Sequence, residues 1–345
     1  MTAPIIAFRT DATAKVALGH LRRCIALATA LRGEGAKPAF FCFDDAAARA
    51  ALAETGFPCE WLPTEVGAAG DVEDTIARMR RAQPAFAVVD SYVAGSSYFE
   101  ALGGAVPALA CFDDFGHVDC PVQCVINGLA DANTLCYRAP VALLGPRFLV
   151  LGPEYWAPVA AKTPDRVGTA MITMGGIDHY DLTTRLIRLL ARIDPTIRIH
   201  AVVGPYYENV ASIEAAAADH GRVTLHRAPP SLQPTMVQSD FAVSAGGFTL
   251  YELAAVGVPA VGIALWENQR PNVAALGDRG IVVPLYYHDG AAFDAQLATA
   301  IEELMRDPAR RRERAQAGQA FIDGQGARRA ARAIFAAIGH MMEAT

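Results

Sequence analysis

The chain has 345 residues, of which 52% are hydrophobic and 19% charged, and its formal net charge is −6. This composition excludes a disordered chain, and at about 150 residues per domain the length predicts two domains. The acidic balance gives no global positive field, so we predict no nucleic-acid partner. We find neither an apolar run of about 18 residues nor a secretory signal pattern, which predicts a cytoplasmic protein without stable membrane insertion.

The seven cysteines all lie in the first 136 residues, are odd in number and are widely spaced. This usage is typical of reduced cytosolic thiols rather than of a disulfide framework. We considered His117, Cys120 and Cys124 as metal ligands, but no fourth ligand follows at the spacing that zinc sites use. We therefore predict neither a metal nor a cofactor.

Strand-like and helix-like segments alternate through the first half. Apolar runs predict strands at residues 5–8, 37–43, 59–62, 86–89, 108–112 and 124–127, and a further strand between the prolines of residues 144–155. Helical periodicity appears at residues 21–31, 44–55 and 71–82. Such alternation predicts a parallel, doubly wound sheet, and we assign residues 1–155 to a first Rossmann-like domain.

The second half repeats this layout without repeating the sequence. Strands are predicted at residues 169–174, 197–203, 223–226 and 241–244, and the helical pattern is clearest at residues 182–193. The tail from Pro308 is rich in arginine and alanine and is predicted to be helical. We assign residues 156–345 to a second Rossmann-like domain that includes this terminal helix.

The most informative stretch joins a buried strand to a helix through Gly246 and Gly247. Ser244 ends the strand, Thr249 lies at the start of the helix and Glu252 falls one turn into it. Free backbone N–H groups and the positive end of the helix dipole favour a phosphate there, and glycines let it approach closely. On the glycines alone, a turn that binds nothing explains the pattern equally well.

The neighbouring residues favour the binding interpretation. Glu252 is placed to accept hydrogen bonds from a ribose diol, and Asn268, Gln269 and Asn272 follow the next strand, where they would converge on the same ligand. The stretch therefore predicts a nucleotide site.

In the first half, His20 stands where the first strand gives way to a helix that begins near Leu21. In an open α/β sheet this is the carboxyl edge, where ligands bind. The positive end of a helix disfavours a protonated imidazole, which keeps His20 available as a base. A histidine that only caps the helix or contacts the ligand is the alternative.

Taken in order, these motifs resemble a known family. The stretch from Ser244 to Glu252, followed by Asn268 and Gln269, is similar to the nucleotide-binding signature of GT-B proteins that use UDP-sugars. With Arg9, Asp11 and the Gly19-His20 pair, the chain more closely resembles the UDP-2,4-diacetamido-2,4,6-trideoxy-β-L-altropyranose hydrolases of pseudaminic acid biosynthesis. The resemblance implies an α/β, GT-B-like fold in which two Rossmann-like domains face a cleft and a C-terminal helix closes the structure.

The resemblance also implies roles for individual residues. His20 matches the family's general base, and Asp11 is the acid that would orient it or bind a sugar hydroxyl. Arg9 would bind substrate or pair with a carboxylate, and an acid at a strand end is also often only a cap or turn residue. The predicted substrate-binding residues are Arg9, Asp90, Tyr92, Asp113, Asn127, Gly175, Gly176, Asp178, Ser244, Gly246, Gly247, Thr249, Glu252, Asn268, Gln269 and Asn272.

We hypothesise that the chain hydrolyses a UDP-linked 2,4-diacetamido-2,4,6-trideoxyhexose to UDP and the free sugar, a step toward the glycan on flagellin. A diphosphate is already a good leaving group, so neither a general acid nor a metal is required. The first alternative is an inverting GT-B glycosyltransferase with a UDP-sugar donor, and the second is a non-catalytic nucleotide-sugar-binding protein. The sequence leaves the oligomeric state open.

Overall fold

The computed structural model describes residues 3–116 and 122–343, and it divides the chain into two compact units. The first contains residues 1–156 and 324–345, and the second contains residues 157–323. His117 and Cys120, considered above as metal ligands, lie outside the described residues. No described helix is long and apolar enough to cross a membrane.

The first unit is built on a sheet in which every neighbouring pair of strands is parallel. Its strands are Ile5–Thr10 (β1), Lys37–Phe43 (β2), Cys59–Leu62 (β3), Phe86–Asp90 (β4), Leu109–Phe112 (β5), Cys124–Asn127 (β6) and Val141–Leu144 (β7). Their spatial order is β3-β2-β1-β4-β5-β6-β7. The order reverses direction between β1 and β4, and this switch point is where open α/β sheets bind ligands.

Helices connect these strands, and three of the four lie where the apolar periodicity predicts them, whereas the helix at Ser96–Gly103 was not predicted. They are Gly19–Gly33 (α1), Asp71–Ala82 (α3), and the two short helices Ala46–Ala53 (α2) and Ser96–Gly103 (α4). The side chain of Asp45 caps α2 by accepting from two backbone N–H groups of its first turn. The β1 residue Phe8 and the α1 residue Leu27 are both fully buried in one apolar cluster between the sheet and its helices.

The second unit has its own parallel sheet and its own core. Its strands are Thr169–Thr173 (β8), Arg198–Val203 (β9), Val223–Arg227 (β10), Phe241–Ala245 (β11), Ala260–Ala264 (β12) and Val282–Tyr286 (β13), in the order β10-β9-β8-β11-β12-β13. Its helices are Leu182–Ile193 (α5), Val210–His220 (α6), Gln233–Gln238 (α7), Thr249–Val256 (α8), Arg270–Asp278 (α9), Ala291–Arg306 (α10) and Pro308–Phe321 (α11). The switch point here lies between β8 and β11.

The last helix, Gly326–Glu343 (α12), differs from the prediction that residues 156–345 form one domain. It belongs to the first unit, where it packs against α1 and buries Ala327, Ala331 and Ile334 in the same cluster as the first sheet. Small alanine side chains let the two helices approach closely. The composition of the tail predicted a helix but could not reveal which sheet it covers.

The strand predicted between the prolines of residues 144–155 is also placed differently. The structure puts the strand earlier, at Val141–Leu144, and Gly145 then turns the chain with a φ of 81°. Pro146 begins a short 3₁₀ turn, after which Leu149, Val150 and Leu151 are buried without pairing in the sheet. The apolar run at residues 149–151 therefore reflects the burial of its side chains and not a strand.

Candidate functional site

The first unit brings His20 and Asp90 together at the carboxyl edge of its sheet. His20 lies one residue into α1, and Asp90 is the last residue of β4, which neighbours β1 at the switch point. The Nδ1 atom of His20 lies 2.6 Å from Oδ1 of Asp90, and the two residues are only 6% and 1% exposed. Arg23 Nη2, which can only donate, also lies 3.3 Å from this nitrogen. The shorter contact is to the carboxylate, which can only accept, so we assign the His20 proton to Nδ1 and leave Nε2 as the basic nitrogen.

Arg23, one turn after His20, holds Asp90 in place. Its Nε and Nη2 atoms donate to the two oxygens of Asp90 at 2.5 and 2.7 Å, and its Nη1 donates to Asp114 at 2.7 Å. The guanidinium also lies over the ring of Phe112, 4.5 Å from its centre. Burial opposes ionisation of Asp90, but Arg23 and His20 hold the pKa of its carboxyl well below the usual range.

Tyr92 completes this group. Its hydroxyl donates to Asp114 at 2.8 Å, and its ring meets the His20 ring edge-on with centres 4.3 Å apart. Tyr92 and the following Val93 are nevertheless exposed, at 47% and 65%. The carboxyl edge therefore presents an apolar surface next to the imidazole.

Arg9 and Asp11, predicted as site residues, are brought together in a separate buried group. Arg9 forms ion pairs with Asp11 and, at 2.6 Å, with Asp71 at the start of α3. Asp11 accepts from the backbone N–H groups of Phe43 and Val66 at 2.8 and 2.6 Å. The described hydrogen bonds of Asp11 thus fix the loop before His20. Of the two roles left open for Asp11, orienting His20 or binding a sugar hydroxyl, the contact with His20 is made by Asp90.

Asp113 and Asn127, the remaining predicted residues of the first unit, shape loops at the same edge. Asp113 accepts from the N–H groups of Phe115 and Gly116 at 3.0 and 2.9 Å, which is a local turn. Asn127 accepts from the Leu129 N–H group at 3.0 Å. The aspartate that joins the His20 group is Asp114, the residue directly after Asp113.

In the second unit the Gly246-Gly247 turn connects β11 to the start of α8, as predicted. The Gly246 N–H donates to the Ile263 carbonyl at 2.8 Å, and a side chain at Gly246 would lie 2.6 Å from Val273. At Gly247, by contrast, no described atom lies within 4 Å of an added Cβ. Gly246 is therefore required by packing, whereas Gly247 leaves the space next to the helix start open.

Two of the predicted polar residues hold this turn in shape. Asn272 is 7% exposed, and its amide donates to the Gly246 carbonyl at 2.7 Å. Gln269 accepts from the Leu265 N–H group at 2.9 Å and packs on Gly246. The loop after β12 and the turn after β11 are thus one connected structure.

The other predicted residues around this turn differ in exposure. Ser244 is fully buried and donates to the Ala245 carbonyl at 3.0 Å, so its role is within the strand. Thr249 and Glu252 are partly exposed on the first turn of α8, and Asn268 is exposed. The N–H groups of Leu250 and Tyr251 in this turn already donate to the carbonyls of Gly247 and Phe248, at 3.2 and 2.9 Å. What this end of α8 offers a bound anion is therefore the positive end of the helix dipole.

Gly175, Gly176 and Asp178 follow β8, the strand beside β11. Gly175 has a φ of 82°, which favours glycine. Asp178 is buried and accepts from the Leu182 and Thr183 N–H groups at 2.9 and 2.8 Å, so it caps α5. Its described contacts therefore give Asp178 a structural role. At Gly175 no described atom lies within 4 Å of an added Cβ, so this part of the turn leaves space for a ligand.

Three charged residues of these groups were not among the predicted site residues: Arg23, Asp71 and Asp114. The sequence contained a signal for each, because Arg23 follows His20 by one helical turn, Asp71 opens a predicted helix and Asp114 follows a strand. What could not be read from the sequence is the pairing, since Arg23 and Asp114 are 91 residues apart.

Comparisons of the sequence with known proteins find only distant relatives, and no known family model matches. The uncharacterized protein MJ1062 of Methanocaldococcus jannaschii is 20% identical over 284 residues, which are 76% of this chain and 56% of that protein. The spore coat polysaccharide biosynthesis protein SpsG of Bacillus subtilis is 24% identical over 223 residues, 59% of this chain and 61% of SpsG. Each match thus spans less than two thirds of the relative's length.

Solved structures resemble the whole chain. MurG of Acinetobacter baumannii is 15% identical with a TM-score of 0.66, over 96% of this chain and 99% of that one. A glycosyltransferase from Rickettsia africae is 9% identical with a TM-score of 0.64 over all of both chains. HepE of Anabaena, solved in complex with UDP-glucose, is 13% identical with a TM-score of 0.62, over 97% of this chain and 100% of that one. At these identities the similarity shows the fold, and the predicted α/β, GT-B-like fold with two Rossmann-like domains is confirmed.

Proposed function

We propose that the protein breaks the anomeric C–O bond of a UDP-sugar, with His20 as the general base and UDP as the leaving group. The observation that carries the proposal is the buried contact of 2.6 Å between His20 and Asp90 at the switch point of the first sheet. A histidine whose Nδ1 proton is held by a carboxylate is the arrangement that prepares the other ring nitrogen to accept a proton.

The reaction needs one proton transfer and one displacement. Nε2 of His20 takes the proton from a nucleophilic O–H group while that oxygen attacks the anomeric carbon. The electron pair of the breaking C–O bond leaves on the β-phosphate, and the positive charge that develops on His20 is compensated by ionised Asp90. Arg23, itself paired with Asp114, keeps Asp90 oriented.

The second unit supplies the nucleotide site in this proposal. The open space at Gly247 and the positive end of the α8 dipole suit the diphosphate, whose negative charge grows as the bond breaks. Glu252, partly exposed on the first turn, would accept from the ribose. The solved complex of HepE with UDP-glucose, which has the same fold, supports a UDP-sugar as ligand.

Two nucleophiles fit this chemistry. Transfer to an acceptor hydroxyl has the stronger support from the comparisons, because the chain resembles a solved glycosyltransferase over its full length. Hydrolysis, our first hypothesis, rests on the resemblance of the Gly19-His20 motif to the hydrolases of pseudaminic acid biosynthesis. We retain hydrolysis as the specific proposal and transfer as the second candidate, since only the acceptor separates them.

The deciding experiment follows UDP release from UDP-2,4-diacetamido-2,4,6-trideoxy-β-L-altrose in oxygen-18 water without an acceptor, by NMR and mass spectrometry. Hydrolysis at the anomeric carbon places the label in the free sugar and leaves UDP unlabelled. Release of UDP only after a glycan, lipid or protein acceptor is added would establish transfer instead.

The same assay with His20→Ala tests the base. We expect turnover to fall about 10²–10⁴-fold, the usual contribution of a general base, while UDP affinity measured by calorimetry stays within about twofold. Unchanged turnover would exclude His20 as the base. A wild-type protein that binds UDP but shows no turnover with or without acceptors would support the non-catalytic alternative.

A further inference from the structure

Four aromatic side chains form a continuous patch at the carboxyl edge of the second sheet. The aromatic patch consists of His179, Tyr180, Trp266 and Tyr287. Tyr180 stacks on Tyr287 with ring centres 4.2 Å apart, and Trp266 lies 5.4 Å from Tyr180 and 5.6 Å from His179. Trp266 is 48% exposed and His179 is also exposed, so the patch is accessible from solvent.

The patch is attached to both glycine turns of the second unit. His179 and Tyr180 follow Gly175 and Gly176 after β8, and Trp266 precedes Gln269, whose side chain packs on Gly246 after β11. Strands β8 and β11 are neighbours at the switch point. Any ligand held by the Gly246-Gly247 turn therefore lies near these rings.

The two helix layers of the unit indicate which end of the nucleotide faces the patch. Tyr180 and Tyr287 pack against the apolar cluster that includes Leu186 of α5 and Phe293 of α10. Helix α8, with Glu252, packs instead against α7 and α11. If the diphosphate lies at the turn between these two layers, a ribose bound near Glu252 lies on the α8 side. The sugar, at the other end of the diphosphate, then lies on the side of the aromatic patch.

We propose that the aromatic patch binds the sugar of the UDP-sugar, an inference that rests on the proposed function. Ring faces contact the C–H face of a pyranose and the methyl group of an acetamido substituent, whereas the charged nucleotide gains little from them. The patch thus selects a sugar with apolar substituents, and Trp266 is its main contact because it is the most exposed of the large rings.

Calorimetry with UDP and UDP-N-acetylglucosamine tests this assignment in Trp266→Leu, which removes the ring but keeps an apolar side chain. We expect the affinity for the sugar nucleotide to fall about tenfold and that for UDP to change less than about twofold. Trp266→Phe keeps a ring face and should restore most of the loss. Trp61→Leu, on edge strand β3 of the first unit, is the control and should alter neither affinity.

An equal loss for both ligands would overturn the proposal and assign the patch to the nucleotide. Unchanged affinity for both ligands in Trp266→Leu, or equal wild-type affinities for UDP and UDP-N-acetylglucosamine, would also overturn it. Absence of UDP binding to the wild-type protein would instead refute the proposed function itself. Trp266 is the only tryptophan in residues 157–323, so its fluorescence in a Trp61→Phe, Trp156→Phe background gives an independent signal.

Discussion

The substitution Asp90→Asn removes the charge behind His20 while keeping the size of the side chain. In the native protein Asp90 accepts from His20 and twice from Arg23, and it is almost fully buried. The amide that replaces the carboxylate is neutral, and it can turn its NH₂ group toward Nδ1 of His20. That contact would favour the tautomer whose proton lies on Nε2, which cannot act as a base.

The expected loss of turnover follows from this geometry. If His20 no longer presents a basic Nε2, the general-base contribution of about 10²–10⁴-fold disappears. Stability falls as well, because Arg23 loses a buried carboxylate partner, and removing one partner of a buried ion pair costs about 3–5 kcal/mol. The substitution should therefore lower both turnover and the free energy of unfolding.

Asp114→Asn separates these two effects. It removes the other carboxylate of Arg23 and should lower the free energy of unfolding by a similar amount, but it leaves the contact between His20 and Asp90 in place. We expect its turnover to fall less than about tenfold, in the UDP-release assay at a temperature where urea titration shows both variants folded. Equal turnover losses in the two variants would refute the orienting role of Asp90.

Three further substitutions test other parts of the molecule. Gly247→Ala should leave the urea midpoint nearly unchanged, because the added methyl has open space, but weaken UDP binding at least about tenfold in calorimetry. Arg311→Lys should lower the free energy of unfolding by about 2–4 kcal/mol, because buried Arg311 donates to four backbone carbonyls. Nδ1 of His200 lies 3.0 Å from Nε2 of His226, and burial lowers the pKa of both histidines. The nearby His226, Arg198 and Lys162 lower the pKa of His200 further. The free energy of unfolding should therefore be highest above about pH 6.5, where the histidines of the unfolded chain are neutral, and should fall toward pH 5. His226→Gln should weaken this pH dependence in urea titrations.

Each of these predictions has a control or a contrary outcome. Gly33→Ala also adds a methyl in open space and should leave UDP affinity unchanged, so an equal effect of both glycine variants would contradict the phosphate site. Arg312→Lys alters a neighbouring half-exposed ion pair and should cost less than about 1 kcal/mol. A stability that does not change between pH 7 and 5, or the same pH dependence with and without His226, would rule out the histidine pair.

The strand and helix pattern of the second unit was largely predictable from the sequence. Strand β8, helix α5 and strand β11 have strong periodicity and lie at or within two residues of their predicted bounds. The Gly246-Gly247 turn was predictable for a local reason, since glycines between a buried strand and an amphipathic helix leave few other conformations. The same reasoning placed His20 at the carboxyl edge of the first sheet.

The pairings between distant residues could not be predicted. Arg23 lies on one face of an amphipathic helix, where an arginine is usually solvated, and only the fold brings two aspartates to it. Asp11 is closer to His20 in the sequence than Asp90 is, yet its hydrogen bonds are to Arg9 and to the backbone after β2 and β3. The motif resemblance pointed to Asp11 and could not show that Asp90, 70 residues from His20, makes the contact with its ring.

The return of α12 to the first unit has a consequence for biosynthesis. A ribosome completes residues 157–323 before it makes the helix that supplies Ala327, Ala331 and Ile334 to the apolar cluster of residues 1–156. At about 5–20 residues per second, the N-terminal segment waits roughly 10–30 s for its last helix. The second unit, which is continuous in sequence, can therefore mature while the first still exposes the α1 surface that α12 will cover. A chain truncated at residue 323 would keep that surface exposed and be prone to aggregation.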